Sequence, residues 1–225
     1  MADPQLFRLR VFFVKAGRCA LLSHLEVARA LERAVRRAKL PYAISQGFSP
    51  HMKISFGAAL PVGVGGTQEC FDLQTTHYVA PDAVCAALQA ASVPDLMVQS
   101  CAYIAAKDPA ASAAFPVGVY EALLSAPLTT LAVPTHISVM RKKKEKQLIV
   151  ADYLVEEVQQ EAVQEEVPQS EEAYATTDGA RLTFALVSRP TGSLRADILM
   201  AEILKANPHV VLKTLTRTAQ LPETL

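Results

Sequence analysis

Residues 7–15, Phe-Arg-Leu-Arg-Val-Phe-Phe-Val-Lys, alternate apolar with basic positions and then turn continuously apolar. That pattern predicts a β-strand. Ala16-Gly17-Arg18 reads as a turn. Ser23 with Glu26 three positions later forms a capping box, and Leu22 and Val27 sit where a hydrophobic staple belongs. A helix is therefore expected from His24 to Lys39, stopping before Pro41. Its two faces separate cleanly. Ala28, Leu31, Val35 and Ala38 recur at helical spacing and form the face to be buried. Arg29, Arg33, Arg36 and Arg37 take the opposite side. At about 100° per residue, His24 falls with the apolar group and points towards the body of the fold.

Pro41-Tyr42-Ala43-Ile44 reads as a short strand. Ser45, Gln46, Gly47, Phe48, Ser49, Pro50 and His51 form a loop by their glycine, serine and proline content. Lys53-Ile54-Ser55-Phe56 alternates again, residues 61–66 are glycine-rich and turn-like, and residues 69–75 make a further alternating strand. Residues 81–91 suit a helix opened by Pro81, and residues 96–104 a strand. The order is β-α-β-β-β-α-β, or a β-α-β-β-α-β core with one added strand. It predicts an α+β protein whose N-terminal half, residues 1–104, is a ferredoxin-like sandwich. Residues 105–116, rich in Ala, Ser and Pro, are expected to be a linker. Residues 117–225 form a smaller, β-rich α+β half. Its strands are expected near 119–124, on both sides of a Lys-rich turn at 141–146, at 181–187 and at 210–215. A turn falls at Thr191-Gly192 and a helix at 195–205. Residues 155–178 read as an acidic, Gln-rich insertion, partly helical or disordered.

Composition excludes several classes. A hydrophobic fraction of 51% with 20% charged residues is not that of a disordered chain. No run of about 18 apolar residues predicts a membrane-spanning helix, and the basic residues in the first 22 positions interrupt any signal-peptide core. A cytoplasmic setting is expected. The zero net charge hides an asymmetry: residues 1–60 carry ten Lys or Arg against three acids, a net +7, whereas residues 147–180 carry nine acids and no Lys or Arg. Such a distribution points to a surface facing a polyanion beside an acidic solvated segment, or to ordinary surface charge with an acidic insertion.

The candidate chemistry is sparse. Cys19, Cys70, Cys85 and Cys101 form no C-x-x-C pair and no closely spaced trio, so neither a zinc knuckle nor an iron–sulfur cluster is expected. Small buried or half-buried thiols are the simpler reading. No pair among His24, His51, His77, His136 and Glu26 has the i, i+4 spacing of a helical zinc site. Gly63-x-Gly65-Gly66 lacks the Lys-Ser or Lys-Thr of a phosphate loop and precedes a strand. Ser23 is accounted for as a helix cap, and no nucleophile motif surrounds Ser49. No metal, cofactor or catalytic residue is assigned. A nucleic-acid surface has more behind it: Arg29, Arg33 and Arg36 follow one stripe, with Phe48, His51 and Lys53 expected nearby. Guanidinium groups match phosphate geometry, and an exposed aromatic stacks on bases.

The run from Leu22 to Pro41, LLSHLEVARALERAVRRAKLP, leads into Ser45-Gln-Gly-Phe-Ser-Pro-His51, then Lys53-Ile-Ser-Phe56, Leu60-Pro-Val-Gly-Val64 and Glu69. These motifs closely resemble the radical-SAM-associated family of unknown function, whose members are encoded beside or fused behind a radical SAM protein. The first 75 residues match strongly. The rest matches loosely, including Arg141-Lys-Lys-Lys and Gly192-Ser-Leu-Arg. Glu26 stands where the family usually has aspartate, and the long acidic segment also departs from the pattern. The resemblance implies a bacterial cytoplasmic protein working with a radical SAM partner. Family genes often neighbour those of RNA processing and ribosomal proteins, which favours RNA as a partner by association.

Three functions follow as expectations. The first is a non-catalytic accessory module of a radical SAM enzyme that binds RNA, or an RNA-bearing substrate. Its site would be His24, Arg29, Arg33, Arg36, the loop 45–51 and Lys53. The second is an enzyme using His24 and His51 as acid and base. The third is a protein-docking subunit whose basic face meets an acidic partner.

Overall fold

The computed structural model describes residues 6–141, 144–168, 174–189 and 192–223. Lys142, Lys143, residues 169–173 of the acidic segment and Thr191 lie outside the described residues. The chain divides into two compact units, residues 1–116 with 220–225, and residues 117–219.

The first unit follows the order β1 (Phe7–Lys15), α1 (His24–Arg37), β2 (Ile54–Phe56), β3 (Val64–Thr75), α2 (Pro81–Ala91), β4 (Val98–Ile104) and the single turn α3 (Ala111–Ala114). β1 runs antiparallel to β3, with Arg10 opposite Asp72, and to β4, with Val11 opposite Cys101. β2 pairs with β3 through Ser55 opposite Asp72. The strand order is therefore β4-β1-β3-β2. Leu9, Val11 and Phe13 of β1 and Phe71 and Leu73 of β3 project to one face, where they pack with Val27, Leu31 and Val35 of α1 and Val84 and Leu88 of α2. Strand alternation sends Arg8 and Arg10, Asp72 and Gln74, and Ser55 to the other face.

α1 forms because its ends are satisfied locally. The Ser23 side chain accepts from the Glu26 backbone, and the Glu26 carboxylate accepts in return from the Ser23 backbone at 2.8 Å. Lys39 just past the helix takes a left-handed conformation, φ 53°, as a terminating residue does.

Several expectations change here. Residues 41–44 make only isolated bridges, Tyr42 to Thr75 and Ile44 to Met52. Residues 61–63 turn, with Gly63 at φ +86°, but Val64, Gly65 and Gly66 already belong to β3. A Cβ at Gly66 would meet the Glu69 side chain, which would have to move aside. Residues 105–116 are not a bare linker. The carbonyls of Asp108 and Pro109 accept from Arg8 and Arg10, and the Ala111 N–H donates to Asp72, which fixes the segment and its turn α3 on the face of the sheet away from α1 and α2.

The second unit contains β5 (Val117–Leu124), β6 (His136–Arg141), β7 (Lys144–Ile149), β8 (Gln159–Pro168), β9 (Tyr174–Val187), α4 (Ala196–Leu204) and β10 (Leu212–Leu221). Its sheet runs β10-β5-β9-β8, and β6 and β7 form a separate hairpin. Tyr120 stacks on Phe184 across β5 and β9 at 5.5 Å. The fully buried Asn207 accepts from the backbones of Thr129 and Thr130 and donates to the Thr130 carbonyl, fixing that loop. The described part of the acidic segment is mostly strand. Gln159–Pro168 pairs antiparallel with Tyr174–Thr183, and Glu161 stands opposite Arg181.

Candidate nucleic-acid interface and the opposite face

α1 carries the arginine stripe into solvent: Arg29, Arg33 and Arg36 are all exposed. Arg36 pairs with Glu32 at 3.4 Å, a half-exposed i, i+4 contact worth about 0.3–0.5 kcal/mol. Arg29 and Arg33 form no salt bridge among the described residues. Arg37 is spent structurally, since its guanidinium donates to the Ala91 carbonyl at the end of α2. Arg33 and Arg37 together flank a small cleft against Ser92 and Val93.

The loop 45–51 is closed at its base. The Ser45 N–H donates to the His51 carbonyl at 2.8 Å, and the His51 N–H donates to Ser45 Oγ at 3.1 Å. His51 Nδ1 lies 2.8 Å from Ser45 Oγ and 3.2 Å from the Ser49 carbonyl oxygen. Gln46, Gly47, Phe48, Ser49 and Pro50 are exposed beyond this closure. Phe48 is exposed to its full extent, an apolar ring held in water by a loop whose ends are pinned.

His24 does face the body of the unit, as its helical phase requires. Its ring meets Phe56 edge-on at 5.6 Å and borders a cavity of about 20 Å³ shared with Lys15, Glu69 and Cys70. That volume accommodates about one water. Lys15 is 3% exposed and donates to the carbonyls of Pro61 and Val64, so it anchors the turn before β3. His51 does not border this cavity, and no hydrogen bond or ring contact joins the two imidazoles.

Lys53 departs from expectation. Instead of joining the arginine stripe, it lies on the face of the sheet away from α1, in a groove with Arg8, Ser55 and Gln74. The reason is strand parity: Ile54 and Phe56 turn to the helices, so residues 53 and 55 turn away. Behind this groove lies a network that sequence reading missed. Asp72 accepts from Arg10 Nε at 2.8 Å, Arg10 Nη2 at 3.1 Å, Arg8 Nη2 at 2.6 Å and the Ala111 N–H at 2.9 Å. Burial pushes the Asp72 carboxyl upward, but the hydrogen bonds from Arg10 and Arg8 outweigh it and hold the group below its ordinary value. The Arg10 guanidinium is raised, chiefly by its bond to Asp72, and also rests 5.3 Å over the Phe115 ring. A signal existed in the alternation, because Arg8 and Arg10 share a strand face. Register alone then set Asp72 opposite Arg10.

Among the described residues, no group of three or more His, Cys, Asp or Glu is placed to hold a metal ion. No helix among them is long and apolar enough to cross a membrane. No curated protein matches the chain. A family model matches residues 8–181, and the chain belongs to that family, described as uncharacterized proteins conserved in bacteria, DUF2344.

Proposed function

We propose that this chain is a non-catalytic accessory module of a radical SAM enzyme and binds RNA, or an RNA-bearing substrate, through its first unit. The observation that carries the RNA reading is Phe48, an aromatic ring fully in solvent on a loop closed by Ser45 and His51. Leaving such a ring in water forfeits its burial energy, and stacking on a base recovers it. The exposed guanidinium groups of Arg29, Arg33 and Arg36 supply phosphate contacts. The radical SAM partner and the cytoplasmic setting rest on the resemblance of residues 22–69 to radical-SAM-associated proteins. In that arrangement the partner supplies the cluster, since Cys19, Cys70, Cys85 and Cys101 are spaced too widely for one. We also read the first unit as a ferredoxin-like sandwich, on the strength of its antiparallel order β4-β1-β3-β2 with α1 and α2 on one face.

Fluorescence anisotropy with purified RNA tests the binding. Charge reversal of Arg29, Arg33 and Arg36 to glutamate should abolish binding while the unfolding transition persists. Phe48→Ala should weaken it by about tenfold, the cost of one stacked base. Affinity should fall steeply with salt as phosphate contacts release counterions. Wild-type affinity in the triple variant, or salt-independent binding, rejects the RNA reading. An acidic protein partner also gives a salt dependence, so purified RNA and purified partner are assayed separately.

A further inference from the structure

We propose that the face of the first unit's sheet away from α1 and α2 carries a binding site for a phosphate monoester, formed by Arg8, Lys53, Ser55 and Gln74. These residues come from three neighbouring strands or their margins and border one groove, closed on one side by the segment containing Asp108. Its volume of about 690 Å³ falls in the range of small-molecule sites, about 300–1,000 Å³.

The charge of the groove is fixed by the chain behind it. Asp72 spends its carboxylate on Arg8, Arg10 and the Ala111 N–H, so one buried anion faces two guanidinium groups. Lys53 adds a cation at the groove itself. The other carboxylate at the groove, Asp108, accepts from the Ala105 N–H at 2.8 Å. Arg10, which does not border the groove, offsets Asp72 behind it, so the bordering Arg8 and Lys53 stand against Asp108 with an excess of one cation.

The donors are available. Lys53 Nζ, Ser55 Oγ and the Gln74 carboxamide have no hydrogen-bond or ion-pair partner among the described residues. An ammonium, a hydroxyl and an amide meet the several acceptor oxygens of a phosphate better than the two of a carboxylate. Arg8 is engaged with Asp72 and two carbonyls, so it acts as a positioned charge rather than a fork. The site is independent of the RNA reading, because α1 and its arginines lie across the sheet.

The same phosphate chemistry is offered by a phosphorylated small molecule and by the 5′-phosphate of a nucleic acid. Titration calorimetry on the full chain uses inorganic phosphate, ribose 5-phosphate and unphosphorylated ribose. The two phosphates should bind saturably below about 10 mM, a weak-affinity limit, and ribose should not. Lys53→Ala should weaken binding about tenfold, the loss of one charge-assisted contact, and Lys53→Arg should retain most of it. Ser55→Ala, at an exposed hydroxyl, should weaken it less without altering the unfolding midpoint. The triple arginine reversal on α1 should leave it unchanged. A 5′-phosphorylated oligonucleotide compared with its 5′-hydroxyl form assigns the source: preference for the phosphorylated end supports a nucleic-acid terminus, and preference for ribose 5-phosphate supports a small molecule. Absence of saturable phosphate binding, equal binding of ribose, or unchanged affinity in both Lys53→Ala and Ser55→Ala overturns the proposal.

Discussion

Asp72 is 2% exposed, yet it carries a full charge because four hydrogen bonds from Arg8, Arg10 and Ala111 converge on it. Removing it leaves two guanidinium groups without their counterion. Asp72→Asn should therefore cost about 3–5 kcal/mol in urea unfolding, the penalty of breaking a buried pair from one side. It also predicts a pH dependence. The folded carboxyl titrates below its ordinary value, so its contribution is complete above about pH 4, the unfolded aspartate value. It is lost as pH falls through the lower folded value. The wild-type chain should lose stability through that acid window, and Asp72→Asn should show a flatter limb there. An equally steep limb in the variant assigns the acid sensitivity to other carboxylates. Cys101 shows the opposite perturbation. Burial first, and the neighbouring Cys85 thiol second, push it up to about 12. At pH 8 its thiolate fraction is about one part in ten thousand. Iodoacetamide should then modify Cys101 more slowly than Cys19 and Cys85, which are likewise half-buried, a difference readable by peptide mass spectrometry.

α1 was legible because everything that fixes it is local. Ser23 and Glu26 stop the helix at one end, and the spacing of Leu31 and Val35 chooses its buried face. Ser23→Ala should cost about 1 kcal/mol, checked by thermal unfolding. An unchanged transition assigns the cap no energetic role. Other elements escaped for physical reasons. β8 shows little apolar alternation: Gln159, Gln160, Glu161 and Ala162 are all exposed, so its strand conformation comes from pairing with β9 rather than from a buried face. The glycines of β3 imitate a turn in sequence, yet Gly65 and Gly66 lie within the strand, Gly66 against the Glu69 side chain. Lys53 takes the face away from α1 for a related reason. A strand's parity decides which face a residue takes, and the face on which the helix packs is a tertiary choice that a local pattern does not carry. Arg8 and Arg10 likewise became intelligible only once register set Asp72 opposite them.

At the scale of the whole chain, charge offers the proposed RNA more than one surface. Residues 1–60 carry a net +7, and residues 147–180 carry nine acids with no Lys or Arg. The acidic strands of the second unit repel phosphate, but its sequence also carries the basic run at 141–146, which is the alternative surface for the proposed RNA. Coulomb attraction alone does not choose between the two, because both clusters release counterions on binding. The aromatic ring does. The described part of the hairpin β6–β7 has the sequence HISVMR and KEKQLI, without Phe, Tyr or Trp. The first unit offers Phe48 fully exposed on its pinned loop. Stacking is retained at high salt while phosphate contacts fade. Ultraviolet cross-linking to RNA at rising salt should therefore enrich peptides containing residues 45–51 relative to those containing residues 136–149. Phe48→Ala should remove the salt-resistant fraction and leave the salt-sensitive one. Cross-links concentrated on residues 136–149 at every salt concentration would move the interface to the second unit and leave Phe48 without a nucleic-acid role.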